Sequence, residues 1–214
     1  GGGSASGIRA LIRGEIDICA ASRPLEAQEI QQISQKFQSI GVSFRIAKDA
    51  LSVYLNPRNP VRDLTTKQLK RIFSGEITNW KAIGGADHTI VVLIRPPNSG
   101  TYLYFKRHVL EEREYTKNAI TIPTTVKIVE TVAANPHSIG YGGIAYGKEV
   151  KLCRVNSIPP TSENIRYDLY PISRYLYLIT VRKPLGVYRK FIDWIISSEG
   201  QNVIKQVGYI PLWK

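Results

Sequence analysis

The sequence is poor in the residues that build metal and redox centres. Its 214 residues include two cysteines, Cys19 and Cys153, and three histidines far apart along the chain, His88, His108 and His137. The cysteines form no CxxC pair, which argues against a zinc or redox motif, and the histidines provide little material for a metal site. We therefore expect no metal and no cofactor, and we expect both cysteines to be buried thiols.

Long apolar runs are also missing. Candidates such as residues 90–94 end at a charged residue or a proline, far short of the roughly 18 to 20 residues of a membrane-spanning helix. No secretory signal is visible either. The sequence contains no methionine and starts abruptly at Gly1, so we expect it to begin inside a longer gene product. The missing signal is therefore weak evidence about the compartment.

The composition is that of a folded, basic protein. Hydrophobic residues make up 43% and charged residues 21%, which is ordinary for a globular protein and unlike a disordered tail. Lys and Arg number 29 against 17 Asp and Glu, which gives a formal net charge of +12. The basic residues are dispersed, without a run of five or six like charges, and this favours a solvated basic surface over a nucleic-acid site. A positive field would also attract small anions toward a cleft.

Helix and strand patterns alternate along the chain. Helical spacing of apolar residues predicts helices at 5–13, 26–40, 65–74, 102–112, 125–134, 188–197 and 199–207. Runs of β-forming residues predict strands at 15–20, 44–55, 90–94, 138–141 and 176–181. This alternation predicts an α/β protein with mainly parallel sheets and flanking helices.

The first candidate anion site is the segment GGGSASG at residues 1–7, which leads directly into a helix. Glycine lets a ligand approach the backbone, while first-turn N–H groups, the hydroxyls of Ser4 and Ser6, and the positive end of the helix dipole suit an oxyanion. The same letters are also typical of a flexible linker or an expression scar. Both interpretations remain open from this segment alone.

The second candidate anion site follows the predicted strand at 90–94. Arg95 stands at the carboxyl end of that strand, where open α/β sheets bind ligands, and its planar guanidinium suits two oxygens of one anion. Ser99 and Thr101 offer hydroxyls at the next helix start, and Gly100 offers an unobstructed N–H. An ordinary capped helix start would also explain the serine and the threonine.

Neither segment carries a catalytic motif. The sequence contains no G-x-x-x-x-G-K-[ST] loop and no G-x-S-x-G elbow. Without a plausible base beside them, Ser4, Ser6 and Ser99 are interpreted as hydrogen-bond donors and not as nucleophiles. Two anion loops without a catalytic group favour a binding protein over an enzyme.

Short blocks spread along the chain carry a family resemblance. They are GGSASGI at 2–8, ICAASRPL at 18–25, NPRNP at 56–60, LT at 64–65, IFSGEITNW at 72–80, RPPNSGT at 95–101, NPHSIGY at 135–141, YPISR at 170–174, SEGQ at 198–201 and GYIPL at 208–212. In this order they resemble the PstS-like phosphate-binding proteins of bacterial ABC phosphate importers. The ordered set covers nearly the whole chain.

The resemblance implies a two-lobed, type II periplasmic-binding-protein fold with two hinge crossovers, near Asn56 and near Ser173. Lobe one would hold residues 1–56 and 174–214, and lobe two would hold residues 57–173. Inorganic phosphate, or a related tetrahedral oxyanion, would bind in the cleft between the lobes. The ligand-binding residues that the resemblance implies are Ser4, Ala5, Ser6, Ser22, Arg23, Arg95, Ser99, Gly100 and Thr101.

The resemblance also implies a role. The protein would be a monomeric, non-enzymatic receptor, periplasmic or anchored on the extracytoplasmic side of a membrane, that delivers phosphate to a membrane ABC permease. It would have no nucleic-acid partner. The alternative is the same fold used as a signalling or adhesion module with weak or no phosphate binding. A nucleic-acid binder ranks lower, and a phosphatase ranks last because it lacks a metal cluster or an activated nucleophile.

Three departures from the family pattern affect the expected site. The family begins with a further strand and a Thr-containing loop, which would precede Gly1. Some members place an Asp after the serine of the turn, where this chain has Ser22 and Arg23, so selectivity for phosphate over sulfate is in question; Arg23 equally fits a surface cation. The acid often found two residues after the loop arginine is Pro97 here, so Arg95 would be held less rigidly or carry more charge toward the anion.

Overall fold

The structure, a computed structural model, describes residues 3–213 and divides them into two compact units. The first unit holds the residues up to Asp49 and those from Arg174 onward, and the second holds Ala50–Ser173. The predicted boundary between lobe one and lobe two followed Asn56. The Asn-Pro break at that point marks the end of the strand Val42–Leu55, which runs through the boundary between the units. Gly1 and Gly2 of the first predicted anion loop, and Lys214, lie outside the described residues.

Helices and strands alternate along the described residues. In chain order they are α1 (Ser4–Arg13), β1 (Cys19–Ala21), α2 (Ala27–Phe37), β2 (Val42–Leu55), β3 (Asp63–Leu64), α3 (Thr66–Phe73), β4 (Val91–Ile94), α4 (Gly100–His108), β5 (Ile120–Thr121), α5 (Thr125–Ala134), β6 (Ser138–Gly143), β7 (Lys151–Val155), α6 (Ser162–Arg166), β8 (Ser173–Thr180), α7 (Gly186–Ile196) and α8 (Ser198–Gln206). Short 3₁₀ helices occupy Trp80–Ile83 and Ile144–Glu149. The predicted α/β class is confirmed.

The first unit has its core between α1 and the antiparallel pair of β1 and β8. Cys19 of β1 pairs with Ile179 of β8, and the register continues to Ala21. Ile8 and Leu11, one helical turn apart on α1, are fully buried against these strands. This packing fixes the axis of α1 relative to the end of β1, and therefore fixes where the amino end of α1 lies.

The sheet of the second unit is mixed, which corrects the prediction of mainly parallel sheets. β6 and β7 both pair antiparallel with β2, whereas β4 pairs parallel with β5 and β6, and β3 pairs parallel with β7. Helical connections such as α4 and α5, between β4 and β6, allow parallel neighbours. The apolar pattern shows those helices but carries no information on the direction of a partner strand that is distant in sequence.

α5 packs very closely on β6, and two glycines make this possible. A Cβ atom added at Gly140 would lie 2.5 Å from Cγ2 of Ile128, and one at Gly142 would lie 2.4 Å from Cγ2 of Thr125. Ile128 is fully buried together with Leu93 of β4. The start of α5 is thereby held against the sheet next to β4.

Both cysteines are buried free thiols, as the sequence predicted. Burial raises the pKa of Cys19 to about 11 and that of Cys153 to about 12. Over residues 3–213, no three or more His, Cys, Asp and Glu side chains are grouped so as to hold a metal ion. None of the helices in that range combines the length and the apolar character needed to cross a membrane.

Candidate anion-binding site

The predicted site residues fall into two groups, one in each unit. In the first unit, α1 begins at Ser4, and its cap is Gly3, which has no side chain that could cap the helix. The N–H groups of Ser6 and Gly7 donate to the carbonyl of Gly3, at 2.9 and 3.2 Å. Helix geometry leaves the earlier N–H groups, those of Ser4 and Ala5, without an acceptor inside the helix. The first turn contains no acidic residue that would compete with an anion for this end of the helix dipole.

Ser4 and Ser22 lie side by side although they are 18 positions apart in sequence. The N–H of Ser22 donates to Oγ of Ser4 at 3.0 Å, and the two hydroxyl oxygens are 3.1 Å apart. The turn after β1 is thus tied to the amino end of α1. Ser6 differs from this pair, because its hydroxyl accepts a hydrogen bond from the exposed Nη2 of Arg9 at 3.2 Å.

Arg23 is bound to carboxylates of α2. Its Nη1 and Nη2 donate to the two carboxylate oxygens of Glu29, each at 2.8 Å, and Nη1 also donates to the carbonyl of Pro24. Burial alone would raise the pKa of Glu29, but hydrogen bonds from Arg23 and from the N–H of Glu26, with the charge of Arg23, hold that pKa below its ordinary value. The guanidinium charge is therefore neutralised within the first unit.

In the second unit, Arg95 directly follows β4, and Ser99 caps α4. Oγ of Ser99 accepts the N–H of Thr101 at 3.2 Å, and the N–H of Ser99 donates to the carbonyl of Pro96 at 2.9 Å. Gly100 is the first residue of the helix, and the first turn contains no acidic residue. The structure thus places Arg95, Ser99, Gly100 and Thr101 on one short loop that ends at a helix amino terminus, which is a suitable environment for an anion.

Arg95 keeps its positive charge uncompensated. Its Nη1 donates to the neutral hydroxyl of Thr125 at 2.8 Å, and among the described residues its buried Nε finds no hydrogen-bond acceptor. No ion pair within residues 3–213 includes Arg95, in agreement with the expectation that Pro97 leaves more charge for the anion. The side chain is nevertheless anchored, because Thr125 begins α5 and is 8% exposed. Sequence reasoning missed this contact, which depends on packing between α5 and the sheet.

Comparison with known proteins identifies the class. Residues 1–199 match the family model described as the PBP superfamily domain. The chain is 32% identical over 223 aligned positions to the phosphate-binding protein PstS of Borreliella burgdorferi, an alignment that covers 98% of this chain and 77% of that protein. It is 29% identical to the phosphate-binding protein PstS of Bacillus subtilis, over 99% of this chain and 69% of that protein. The chain belongs to the PBP superfamily and, within it, to the PstS-like phosphate-binding proteins.

Solved structures show the same fold. An ABC transporter substrate-binding protein from Clostridium perfringens, crystallised with bound phosphate, superposes with a TM-score of 0.86 at 33% identity, over 99% of this chain and 85% of that one. An ABC-type phosphate transport receptor from Vibrio cholerae superposes with a TM-score of 0.85 at 30% identity, over 98% of this chain and 86% of that one. These matches confirm the family resemblance and the periplasmic-binding-protein-like fold.

Proposed function

We propose that the chain is an extracytoplasmic solute-binding protein that binds inorganic phosphate and delivers it to a membrane ABC permease. The observation that carries the proposal is the loop at residues 95–101. It combines an arginine that has no carboxylate partner among the described residues with a helix amino terminus whose first turn has no acidic residue, at the carboxyl end of β4. Relatives of this chain are named for phosphate binding, and one was crystallised with phosphate.

The two groups of donors define the residues that we propose to take part. Arg95, Ser99, Gly100 and Thr101 contribute the guanidinium, hydroxyls and N–H groups of the second unit. In the first unit, Ser4 and Ala5 contribute N–H groups, and Ser4 and Ser22 contribute hydroxyls. Ser6 contributes its hydroxyl, which accepts from Arg9 and can still donate its own proton, because its N–H already donates to the carbonyl of Gly3. Arg23, whose side chain is engaged by Glu29, contributes its backbone N–H.

The proposed ligand set is made of donors and hydroxyls. It contains no carboxylate, the group that would accept the proton of hydrogen phosphate and repel fully ionised sulfate. Only serine and threonine oxygens are left to accept that proton. We therefore expect sulfate to compete measurably with phosphate.

The cellular role follows from the same proposal. We propose that the two compact units are the two lobes of a monomeric receptor that performs no catalysis. Binding would depend on charge-assisted hydrogen bonds to a desolvated dianion, which are stronger than bonds between neutral groups. No metal or cofactor enters this scheme.

Replacement of Ser99 tests the proposal against a matched control. Ser99→Ala removes a proposed ligand hydroxyl together with the cap of α4. Ser197→Ala removes the same hydroxyl from the cap of α8, where Oγ of Ser197 accepts the N–H of Gly200. Loss of a hydrogen bond to a charged ligand costs roughly 1.5 to 3 kcal/mol, about tenfold to a hundredfold in affinity.

Calorimetric titration with phosphate separates the two variants. Ser99→Ala should weaken phosphate binding about tenfold to a hundredfold. Ser197→Ala should leave phosphate affinity unchanged, although both variants lose a helix cap. Equal affinities in Ser99→Ala and in the unaltered chain would remove Ser99 from the site. Absence of phosphate and sulfate binding by the unaltered chain would contradict the proposal and favour the signalling or adhesion alternative.

A further inference from the structure

An aromatic cluster of the second unit adjoins the loop at residues 95–101, the anion loop of this unit. Phe105 of α4 stacks on Tyr141 of β6, with ring centroids 4.0 Å apart and planes 11° apart. Phe73 of α3 meets both rings at steep angles. Tyr115, which follows α4, lies against the ring of Tyr102 with centroids 4.5 Å apart. Tyr141 is 0% exposed and Tyr115 is 8% exposed, so their hydroxyls must find partners inside the cluster.

The two hydroxyls form a chain of hydrogen bonds with a defined direction. Oη of Tyr115 lies 3.1 Å from the carbonyl oxygen of Tyr102 and 2.8 Å from Oη of Tyr141. A carbonyl oxygen only accepts, so Tyr115 donates its single proton to Tyr102, and Tyr141 must therefore donate to Tyr115. The chain thus runs one way, from Tyr141 of β6 through Tyr115 to the carbonyl of Tyr102.

One end of this chain lies at the anion loop, and the other lies on the strand beside β4. Tyr102 follows Thr101 in the first turn of α4, and Tyr141 lies on β6, which pairs with β4, the strand that Arg95 directly follows. The hydrogen bond from the N–H of Ser99 to the carbonyl of Pro96 is local, and the bond from Arg95 to Thr125 reaches α5. The tyrosine chain therefore holds the first turn of α4 to β6 through side chains that come from outside the loop.

We propose that Tyr141 and Tyr115 are positioning residues for anion binding by the second unit. The inference rests on the proposed function and deepens it. The relay, formed by Tyr141, Tyr115 and the carbonyl of Tyr102, fixes the first turn of α4 relative to β6, beside the strand that Arg95 follows. The donors of α4 and of Arg95 then meet an oxyanion already in place. In apolar surroundings such hydrogen bonds are strengthened, and breaking one is costly. Burial raises the pKa of each tyrosine above its ordinary value, which keeps both hydroxyls protonated as the relay requires.

The test removes one hydroxyl at a time and keeps the rings. Tyr141→Phe and Tyr115→Phe each break the relay. Tyr170→Phe is a matched control, because Tyr170 is 1% exposed in the same unit and its hydroxyl donates at 3.3 Å to the carbonyl of Leu51, outside the relay. Three quantities are measured on the full chain: phosphate affinity by calorimetry, the melting temperature, and amide hydrogen exchange of residues 100–103 without phosphate.

The relay predicts a specific pattern. Each relay variant should bind phosphate about threefold to thirtyfold more weakly, as expected for a lost buried hydrogen bond, and should exchange faster at residues 100–103. The double variant should lose less than the product of the two single losses, because both changes break the same chain. Tyr170→Phe should lower the melting temperature but change neither phosphate affinity nor exchange at residues 100–103.

Two results would overturn the inference. One is unaltered affinity and exchange in both relay variants. The other is an effect of Tyr170→Phe as large as theirs at equal loss of melting temperature, which would indicate a purely structural role. Failure of the proposed function is recognised separately, because the unaltered chain would then take up no phosphate. In that event exchange at residues 100–103 in the ligand-free protein still decides whether the relay holds the loop.

Discussion

Replacement of Arg95 by alanine should abolish most phosphate binding without weakening the fold. The guanidinium can direct two charge-assisted hydrogen bonds at one anion. Each is worth roughly 1.5 to 3 kcal/mol, so their loss corresponds to roughly 3 to 6 kcal/mol, or about a hundredfold to ten-thousandfold in affinity. Calorimetric titration with phosphate measures this loss directly.

The ligand-free stability of the same variant should respond differently. Arg95 is a partly buried cation whose Nε has no acceptor among the described residues and whose Nη1 bonds only to the hydroxyl of Thr125. Its removal takes away one hydrogen bond and also relieves the desolvation of a charge. We therefore expect the free energy of unfolding without phosphate to stay within about 1 kcal/mol of the original or to rise. Phosphate should raise the melting temperature of the unaltered chain far more than that of the variant.

Arg107→Ala is the matched control for this prediction. Arg107 lies on α4, the helix that follows the loop of Arg95, but its side chain is 54% exposed and pairs with Glu112 at 3.4 Å. Its removal changes the net charge by the same amount and should leave phosphate affinity nearly unchanged. If Arg95→Ala bound phosphate within threefold of the unaltered chain, or if both arginine variants lost affinity equally, the assignment of Arg95 would be wrong.

Two further predictions concern ion pairs of the first unit. Arg174 donates from Nε and Nη2 to Oδ2 of the buried Asp49, at 3.0 and 2.7 Å. Arg174→Ala leaves this carboxylate uncompensated and should lower the free energy of unfolding, measured in urea, by about 3 to 5 kcal/mol. A decrease below about 1 kcal/mol would contradict this prediction. The pKa of Glu29 is lowered by Arg23, so their pair stabilises the fold at neutral pH and loses its effect as the pH falls through the folded-state value. Urea midpoints measured from about pH 7 to about pH 3 should fall less steeply in Arg23→Gln than in the unaltered chain, and equal slopes would contradict the account.

Helix starts were the best predicted part of the fold. The helix predicted at 65–74 begins at Thr66 in the structure, where the hydroxyl of the preceding Thr65 accepts the N–H of Gln68. α4 begins two residues before the predicted start, because Ser99 is its cap. These signals are local, since a capping side chain and its N–H partner are only a few residues apart.

β2 shows what local signals leave out. The strand predicted at 44–55 is confirmed as Val42–Leu55, but the sequence does not show how that strand buries Lys48 and Asp49. Lys48 lies over the ring of Tyr175 at 4.8 Å, and Asp49 is neutralised by Arg174. Both charged residues are buried by partners that lie more than 120 positions away, which no window of the sequence reveals.

In the candidate site too, local features were predicted and long-range contacts were not. Arg95 and the cap at Ser99 were predicted from residue types and their place after a strand, because a strand end and a helix start are local patterns. The contacts that orient them depend on tertiary packing: Thr125 on Nη1 of Arg95, and Tyr141 with Tyr115 beneath the loop. From the sequence alone, Thr125, Tyr141 and Tyr115 are predicted only as ordinary helix and core residues.

Calorimetric titration of the unaltered chain, unfolded and refolded to remove bound anion, tests the central claim most directly. Phosphate should give a saturable heat with one anion bound per chain, and sulfate should compete measurably because the proposed ligand set contains no carboxylate. Failure of both phosphate and sulfate to produce a saturable heat would contradict the account.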